Sequence, residues 1–238
     1  MKRFLSFGGG VNSTALGLWV MDHSIESEWV YADHGADWPE TRLYVEMLRR
    51  DVHPITVLET RRNGLALYDY YLAHHMVPMR WVRACTVEYK LAPLSAYMVP
   101  PCEVYIGIDA GEAHRIPGIT AGCRPDEEKL FPLAEYGIDR AGCIEIIKAH
   151  GLPVPIKSGC YICAFQRASQ WRELYRLHPD LFCKAQRLED SASEYLATKG
   201  RPAVFLSDRG LPLATVAEAG QLDMFDPDRA SRPCLCEL

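Results

Sequence analysis

The sequence predicts an α/β fold, doubly wound around a mainly parallel sheet, with a helical, cysteine-bearing C-terminal part. Three observations carry this expectation. Apolar runs of strand length lie at 3–6, 28–32, 55–58 and 103–108. Amphipathic helical patterns fill 13–22 and 39–51, between the first three of these runs. From about residue 139 the strand-like runs give way to helical ones at 140–150, 168–178 and 179–199. Strands alternating with helices build parallel sheets with right-handed crossovers. The first late helix is closed by Gly151, with Pro153 and Pro155 behind it, the usual order at a helix end. The expected division is an α/β core at 1–138 and a helical part at 139–238. Within the latter, 204–206 reads as a short strand or an extended segment, and 222–238 as irregular.

The first strand runs into Gly8, Gly9 and Gly10, then Val11, Asn12, Ser13, Thr14 and an apolar helical run at 15–21. Glycines let the backbone approach an oxyanion without a Cβ clash. The first N–H groups of the following helix point outward, and its dipole favours negative charge there. Ser13 and Thr14 add hydroxyls, so a phosphate or pyrophosphate ligand is expected. The loop is neither GxxxxGK[ST], since no lysine precedes the hydroxyls, nor GxGxxG, since Ser13 stands where the last glycine belongs.

The second strand ends at Asp33, followed by His34, Gly35, Ala36, Asp37, Trp38 and Pro39. An acid here sits at the carboxyl edge of the sheet, where doubly wound folds bind ligands and a carboxylate can accept ribose hydrogen bonds. A turn leading into a proline-started helix explains the same residues structurally. Further on, Arg80, Arg83 and Lys90 flank Cys85 and are able to reach an anion, although a solvated helix face accounts equally for Lys90. The fourth strand ends in Gly107, Ile108 and Asp109, then Glu112, His114 and Arg115. Arg115 suits a tetrahedral oxyanion, and Asp109 or Glu112 suits Mg²⁺ against a nucleotide. Each alone is equally served by a salt bridge.

Cys160 and Cys163 form a C-x-x-C. Two such thiolates chelate a metal or cluster iron, or form a redox disulfide; as a bland alternative they pack as small hydrophobes. A closed site needs two more ligands, and Cys143 lies a short way upstream. An all-sulfur set suits a [4Fe–4S] cluster or Zn²⁺ rather than Mg²⁺. Cys102, Cys123 and Cys183 are expected to be unliganded.

Composition sets the outer bounds. The chain has 238 residues, 48% hydrophobic and 24% charged, as an ordinary globular domain does. No apolar run reaches membrane-span length, and glycines interrupt the first one at once, so no membrane association and a cytoplasmic location are expected. A net charge of −5 argues against a broad nucleic-acid-binding surface. Nine cysteines without a secretion signal favour metal, cluster or redox use over a disulfide framework.

Five segments occur in the order found in phosphoadenosine phosphosulfate (PAPS) reductase-like proteins, which share the adenine nucleotide α-hydrolase superfamily with the PP-loop ATP pyrophosphatases. They are SFGGGVNSTAL, YADHGADWPET, CTVEYKLAP, YIGIDAGEAHR and KSGCYICAFQ. The chain most resembles a bacterial and phage-borne subgroup. The family's SGGxDS loop appears with Gly8 for the first serine and Asn12 for the aspartate, and its DTG stretch with His34 for the threonine. The resemblance implies an adenine nucleotide, ATP or PAPS-like, over a loop formed by Ser6, Gly8, Gly9, Gly10, Asn12, Ser13 and Thr14, with Asp33 and Arg115 beside it and Mg²⁺ as a companion ion. Arg115, Asp109 and Lys90 are the catalytic candidates. The resemblance also brings Cys85 to the active-site edge, completing a metal set of Cys85, Cys143, Cys160 and Cys163 for a [4Fe–4S] cluster or, alternatively, zinc. The implied activity is sulfur transfer or nucleotide sulfate chemistry. Alternatives are a sulfite-forming PAPS or APS reductase and a non-catalytic nucleotide-binding protein with structural zinc. Implied partners are a sulfur donor or reductant protein and a second copy of the chain. A nucleic-acid sulfur acceptor fits the superfamily, but the net charge does not point to one. The family's catalytic ECGLH-type tail is replaced by CLCEL, so Cys234 and Cys236 are not expected to be a reductase nucleophile.

Overall fold

The computed structural model describes residues 1–156 and 158–218. Five strands, β1 (Lys2–Phe7), β2 (Glu28–Asp33), β3 (Ile55–Glu59), β4 (Cys102–Ile106) and β5 (Glu127–Leu130), form one sheet in the order β3-β2-β1-β4-β5. Every neighbouring pair is parallel. Helices α1 (Val11–Asp22) and α2 (Pro39–Asp51) make the first two crossovers, and α3 (Leu67–Ala73) follows β3. A stretch made of α4 (Ala84–Thr86), a π-helical turn (Val87–Leu91) and α5 (Ala92–Tyr97) then leads to β4. After β4 come a 3₁₀ turn (Ala110–Arg115) and α6 (Ile116–Thr120), and after β5 come α7 (Pro132–Glu135) and α8 (Arg140–Ala149). The chain continues through α9 (Ala168–Leu177), α10 (Pro179–Ala197) and α11 (Leu213–Glu218). Strand order reverses between β1 and β4, the switch point at which such sheets open a crevice.

Side-chain alternation explains why both sheet faces are covered. Leu5, Trp29, Tyr31 and Tyr105 face a core shared with α1, α2 and α8. Their neighbours Phe4, Val30 and Val104 face the opposite layer, where Met98 and Leu94 of the α5 region close it. A period of two puts adjacent residues on opposite faces, and burial on both makes these strands continuous apolar runs. Gly17 lets α1 pack closely on the sheet: a Cβ there would fall 2.2 Å from the Trp29 ring.

Two expectations change. The strand β5 carries Glu127, Glu128 and Lys129, so no apolar run announces it; at a sheet edge, charges are tolerated and guard against further pairing. The division at residue 138 also shifts. Cys143 and Ile147 of α8 are buried in the core around α1, so 140–149 belongs to the α/β layer. The helices beyond it pack with α3 and with Ala36 and Trp38 in a third core around Trp171 and Phe182.

The segment 204–206 forms no strand. It is tied to α10: the Val204 N–H donates to Ser193 Oγ at 3.2 Å, and the Leu206 N–H to the buried Glu189 carboxylate at 2.8 Å. Among the described residues no helix is long and apolar enough to cross a membrane. Cys234, Cys236 and the stretch 222–238 lie outside the described residues.

Candidate functional site: a glycine-loop cleft beside a thiol pocket

The glycine loop joins the end of β1 to α1. Gly9 has φ +71°, and a Cβ there would fall 2.9 Å from Val45 Cγ2 and 3.0 Å from Thr41 Cγ2 of α2. Its lack of a side chain is therefore required by the helix behind the loop as well as by backbone conformation. A Cβ on Gly107, after β4, would meet the Ser13 backbone nitrogen at 2.8 Å, so β4 delivers its exit segment directly against the start of α1.

The three residues opening α1 separate in role. Ser13 lines a cleft, and its Oγ accepts the Gly10 N–H at 3.2 Å. Thr14 is fully buried, and its hydroxyl donates back to the Gly10 carbonyl at 2.8 Å. The Asn12 amide donates to Asp109 Oδ2 at 2.9 Å and to Glu112 Oε2 at 3.1 Å, and its oxygen accepts from Arg140 at 2.8 Å. Asp109 in turn accepts the Glu112 N–H at 3.1 Å and caps the 3₁₀ turn, while Glu112 pairs with Arg115. An aspartate at position 12 would place a third buried carboxylate beside two others. An amide supplies the donors they need. Asn12, Thr14 and Asp109 thus brace the loop instead of lining the cleft in front of it.

That cleft has a volume of about 630 Å³ and opens at the switch point. Gly8, Ser13, Lys90, His114 and Arg115 belong to its polar wall, with Ser95, Glu127 and Lys129, and Leu91, Leu94, Met98, Val104 and Ile106 to its apolar one. Ser6 reaches it from β1. Asp33, expected beside the nucleotide, is absent from this lining. Its carboxylate accepts the Gly35 N–H at 2.8 Å and faces Arg42 at 3.5 Å, which ties the acid to its own turn.

A second, tighter pocket lies across Lys90. It is lined by Cys85, Cys160 and Cys163 with His34, Thr86 and Lys90 itself. Cys160 and Cys163 occupy one turn, closed by the Cys163 N–H on the Cys160 carbonyl at 3.1 Å. That turn is pinned to the segment after β2 by Trp38 N–H to Gly159 O at 3.0 Å and Tyr161 N–H to Ala36 O at 2.9 Å. Cys85 comes from α4 and Lys90 from the π-helical turn, a local form often found at functional sites. Burial raises the Cys160 thiol well above its usual range, and Asp37, Cys163 and Cys85 add to this while Lys90 opposes it. Arg83, with a left-handed backbone at φ 50°, also borders the set. Burial, then Arg115, lowers its guanidinium, while Cys85 and Cys163 pull the other way. Two buried thiols and the half-buried Cys85, with two cations nearby, are a donor set that a metal group would fit, because binding stabilises the thiolates.

Cys143 does not join them. It is buried on the face of α8 that packs on α1, and burial, then Asp109, pushes its thiol up to about 12. Closeness in sequence to the C-x-x-C misled here, because α8 belongs to the sheet layer and the segment after it carries the chain into a different core. Cys102 is buried and Cys183 exposed, each away from the pocket lining.

The residues sequence reasoning missed are His34 and Asp37 as neighbours of Cys160. Their ligand atoms all lie within 4.8 Å of one another. His34 Nε2 is 3.4 Å from Cys160 Sγ and 3.2 Å from Asp37 Oδ1. The Tyr31 hydroxyl donates to the other Asp37 oxygen. Burial works against the Asp37 carboxylate, but His34, Lys90 and Tyr31 together hold it below the usual carboxylate range. A histidine three residues before an aspartate just past a strand was the available signal; the partner sulfur is 126 residues away.

No protein-family model matches the chain, and no curated protein matches it either.

Proposed function

We propose that the protein is an adenine-nucleotide-dependent enzyme of sulfur transfer or nucleotide sulfate chemistry, working with a Cys-ligated iron–sulfur group. The observation that carries this reading is that Lys90 lines both the glycine-loop cleft and the thiol pocket, so the two chambers share a wall. The cleft volume lies within the range of small-molecule sites. The Gly8 backbone and the side chains of Ser13, Lys90 and Arg115 would bind the phosphate or sulfate end of the nucleotide. They would offset charge developing on a leaving pyrophosphate or sulfite. The apolar wall at Leu91, Leu94 and Met98 would exclude water from the rest of the ligand.

Cys85, Cys160 and Cys163 would hold the metal group, with Arg83 and Lys90 offsetting its thiolate charge. An iron–sulfur group bound there would supply sulfur or electrons next to the nucleotide. A single tetrahedral zinc draws its thiolates to within about 4 Å of one another. Among the described residues, the metal-ligating atoms within 4.8 Å of one another are those of His34, Asp37 and Cys160. That close set takes in one of the three thiols, which supports a cluster over a single zinc.

The test is anaerobic purification followed by iron, zinc and acid-labile sulfide analysis, with calorimetry against ATP and PAPS. Iron and sulfide together with binding of one of the two nucleotides is expected. Zinc without sulfide would support the structural alternative, and failure to bind either nucleotide would overturn the reading.

A further inference from the structure

His34 stands at the hub of a buried chain that joins the two chambers. Tyr31 lines the cleft, its hydroxyl donates to Asp37, Asp37 meets His34, and His34 meets Cys160 in the thiol pocket. The first question is whether His34 is a metal ligand, as its distance to Asp37 and Cys160 invites. The hydrogen bond on its other nitrogen answers it. The Ala36 N–H donates to His34 Nδ1 at 3.1 Å. A backbone amide can only donate, so Nδ1 offers a lone pair and the ring proton sits on Nε2. Ligation of a metal through Nε2 would transfer that proton to Nδ1 and set two N–H groups head to head. The ring is fully buried, so the clash would lie away from solvent.

We propose that His34 is a positioning residue for Cys160, its Nε2–H shared between the Asp37 carboxylate and the Cys160 sulfur, and that it is not a metal ligand. Asp37 and Tyr31 fix its tautomer and its direction, as carboxylates do for histidines around metal sites. The consequence for the sulfur rests on the proposed function. Hydrogen bonds to the sulfurs of an iron–sulfur group are among the features that set its reduction potential. The Nε2–H offsets sulfur charge, so it favours the reduced form.

The experiment has three readouts. Histidine ring nitrogens, ¹⁵N-labelled and assigned with His34→Gln, are observed by long-range proton correlation in chelator-treated wild-type protein. The Nε2–H tautomer is expected, and an Nδ1–H tautomer would overturn the assignment. Next, iron per chain is compared among wild type, His34→Leu and His34→Gln. Unchanged content in both variants is expected, whereas loss in both marks a ligand and defeats the proposal. Last, the midpoint potential is measured by anaerobic titration. It should move to more negative values in His34→Leu, which donates nothing, and stay near wild type in His34→Gln, whose amide restores a donor. A potential unmoved in the leucine variant, or moved equally in both, would reduce His34 to a packing role. If wild type holds neither iron nor zinc, the proposed function fails, while the tautomer still decides the place of His34. If the leucine variant does not fold, the wild-type tautomer and the glutamine variant remain.

Discussion

The cleft and the thiol pocket lie side by side but are assembled by different means. The cleft is framed by strand exits of one sheet: the loop after β1 and the turn after β4, held together where Gly107 meets the start of α1. Parallel strands aligned in register bring those exits to a common edge, so backbone topology does most of the work. The thiol pocket has no such frame. It gathers the segment after β2, the π-helical turn and the C-x-x-C turn, and it depends on side-chain and loop hydrogen bonds such as Trp38 to Gly159. One site is built from secondary structure and the other from tertiary contacts. The first should tolerate change in its lining, and the second should be lost when any one donor is removed.

The largest effect tests the thiol side. Cys160→Ser or Cys85→Ser should abolish metal retention while changing nucleotide affinity less than about twofold. Cys143→Ser should leave metal content at wild-type level. Metal surviving both single substitutions, or lost with Cys143→Ser, would erase the boundary drawn between the two cores.

Asn12→Asp addresses the bracing behind the glycine loop. The introduced carboxylate would face Asp109 and Glu112, and its lost donors would leave both under-satisfied. A loss of about 1–3 kcal/mol in urea unfolding at neutral pH is expected. Part of it should be regained toward acid, as the new carboxyl takes up a proton and can donate again. A stability unchanged at neutral pH would mean that the bracing network is energetically idle.

Lys90→Met sharpens the comparison at the shared wall. Removing this cation, which lines both chambers, should weaken nucleotide binding about tenfold, roughly 1.4 kcal/mol. Calorimetry showing an unchanged affinity would confine Lys90 to the thiol side.

The smallest effect lies outside both sites. His150 of the α8 end has its Nδ1 2.9 Å from Ile146 O and its Nε2 3.1 Å from Asp22 Oδ1 of α1. The backbone carbonyl, then Asp22, raises its pKa. A raised histidine contributes stability that is present below the unfolded pKa of about 6.5 and lost as pH rises through the folded value. His150→Ala should therefore cost a few tenths of a kcal/mol at mildly acidic pH and nothing at alkaline pH, read from paired denaturation curves.

The fold was legible where the information is local. Phe4 and Leu5, Val30 and Tyr31, and Val104 and Tyr105 form apolar runs because both sheet faces are covered, and the amphipathic stretches between them mark the first crossovers. The edge strand at Glu127–Leu130 was not legible, since burial does not select its side chains. Of the site, the glycine loop could be read because strand, turn and helix are contiguous. The inward turns of Thr14 and Asn12 and the turn-bracing use of Asp33 could not, because any of these residue types serves a ligand as well as it serves the backbone.

What the sequence by itself determined is the backbone: strand and helix periods, the glycine turn, the C-x-x-C turn, and the carboxyl edge to which they converge. These depend on neighbours a few residues apart. Only the tertiary structure decided which thiols meet. It set Cys85 beside Cys160 and Cys163 and sent Cys143 to the other core. It also set His34 against a sulfur 126 residues away. The periodicity of a helix says which face is buried but not what lies against it, and the chemistry of a buried thiol is a property of what lies against it.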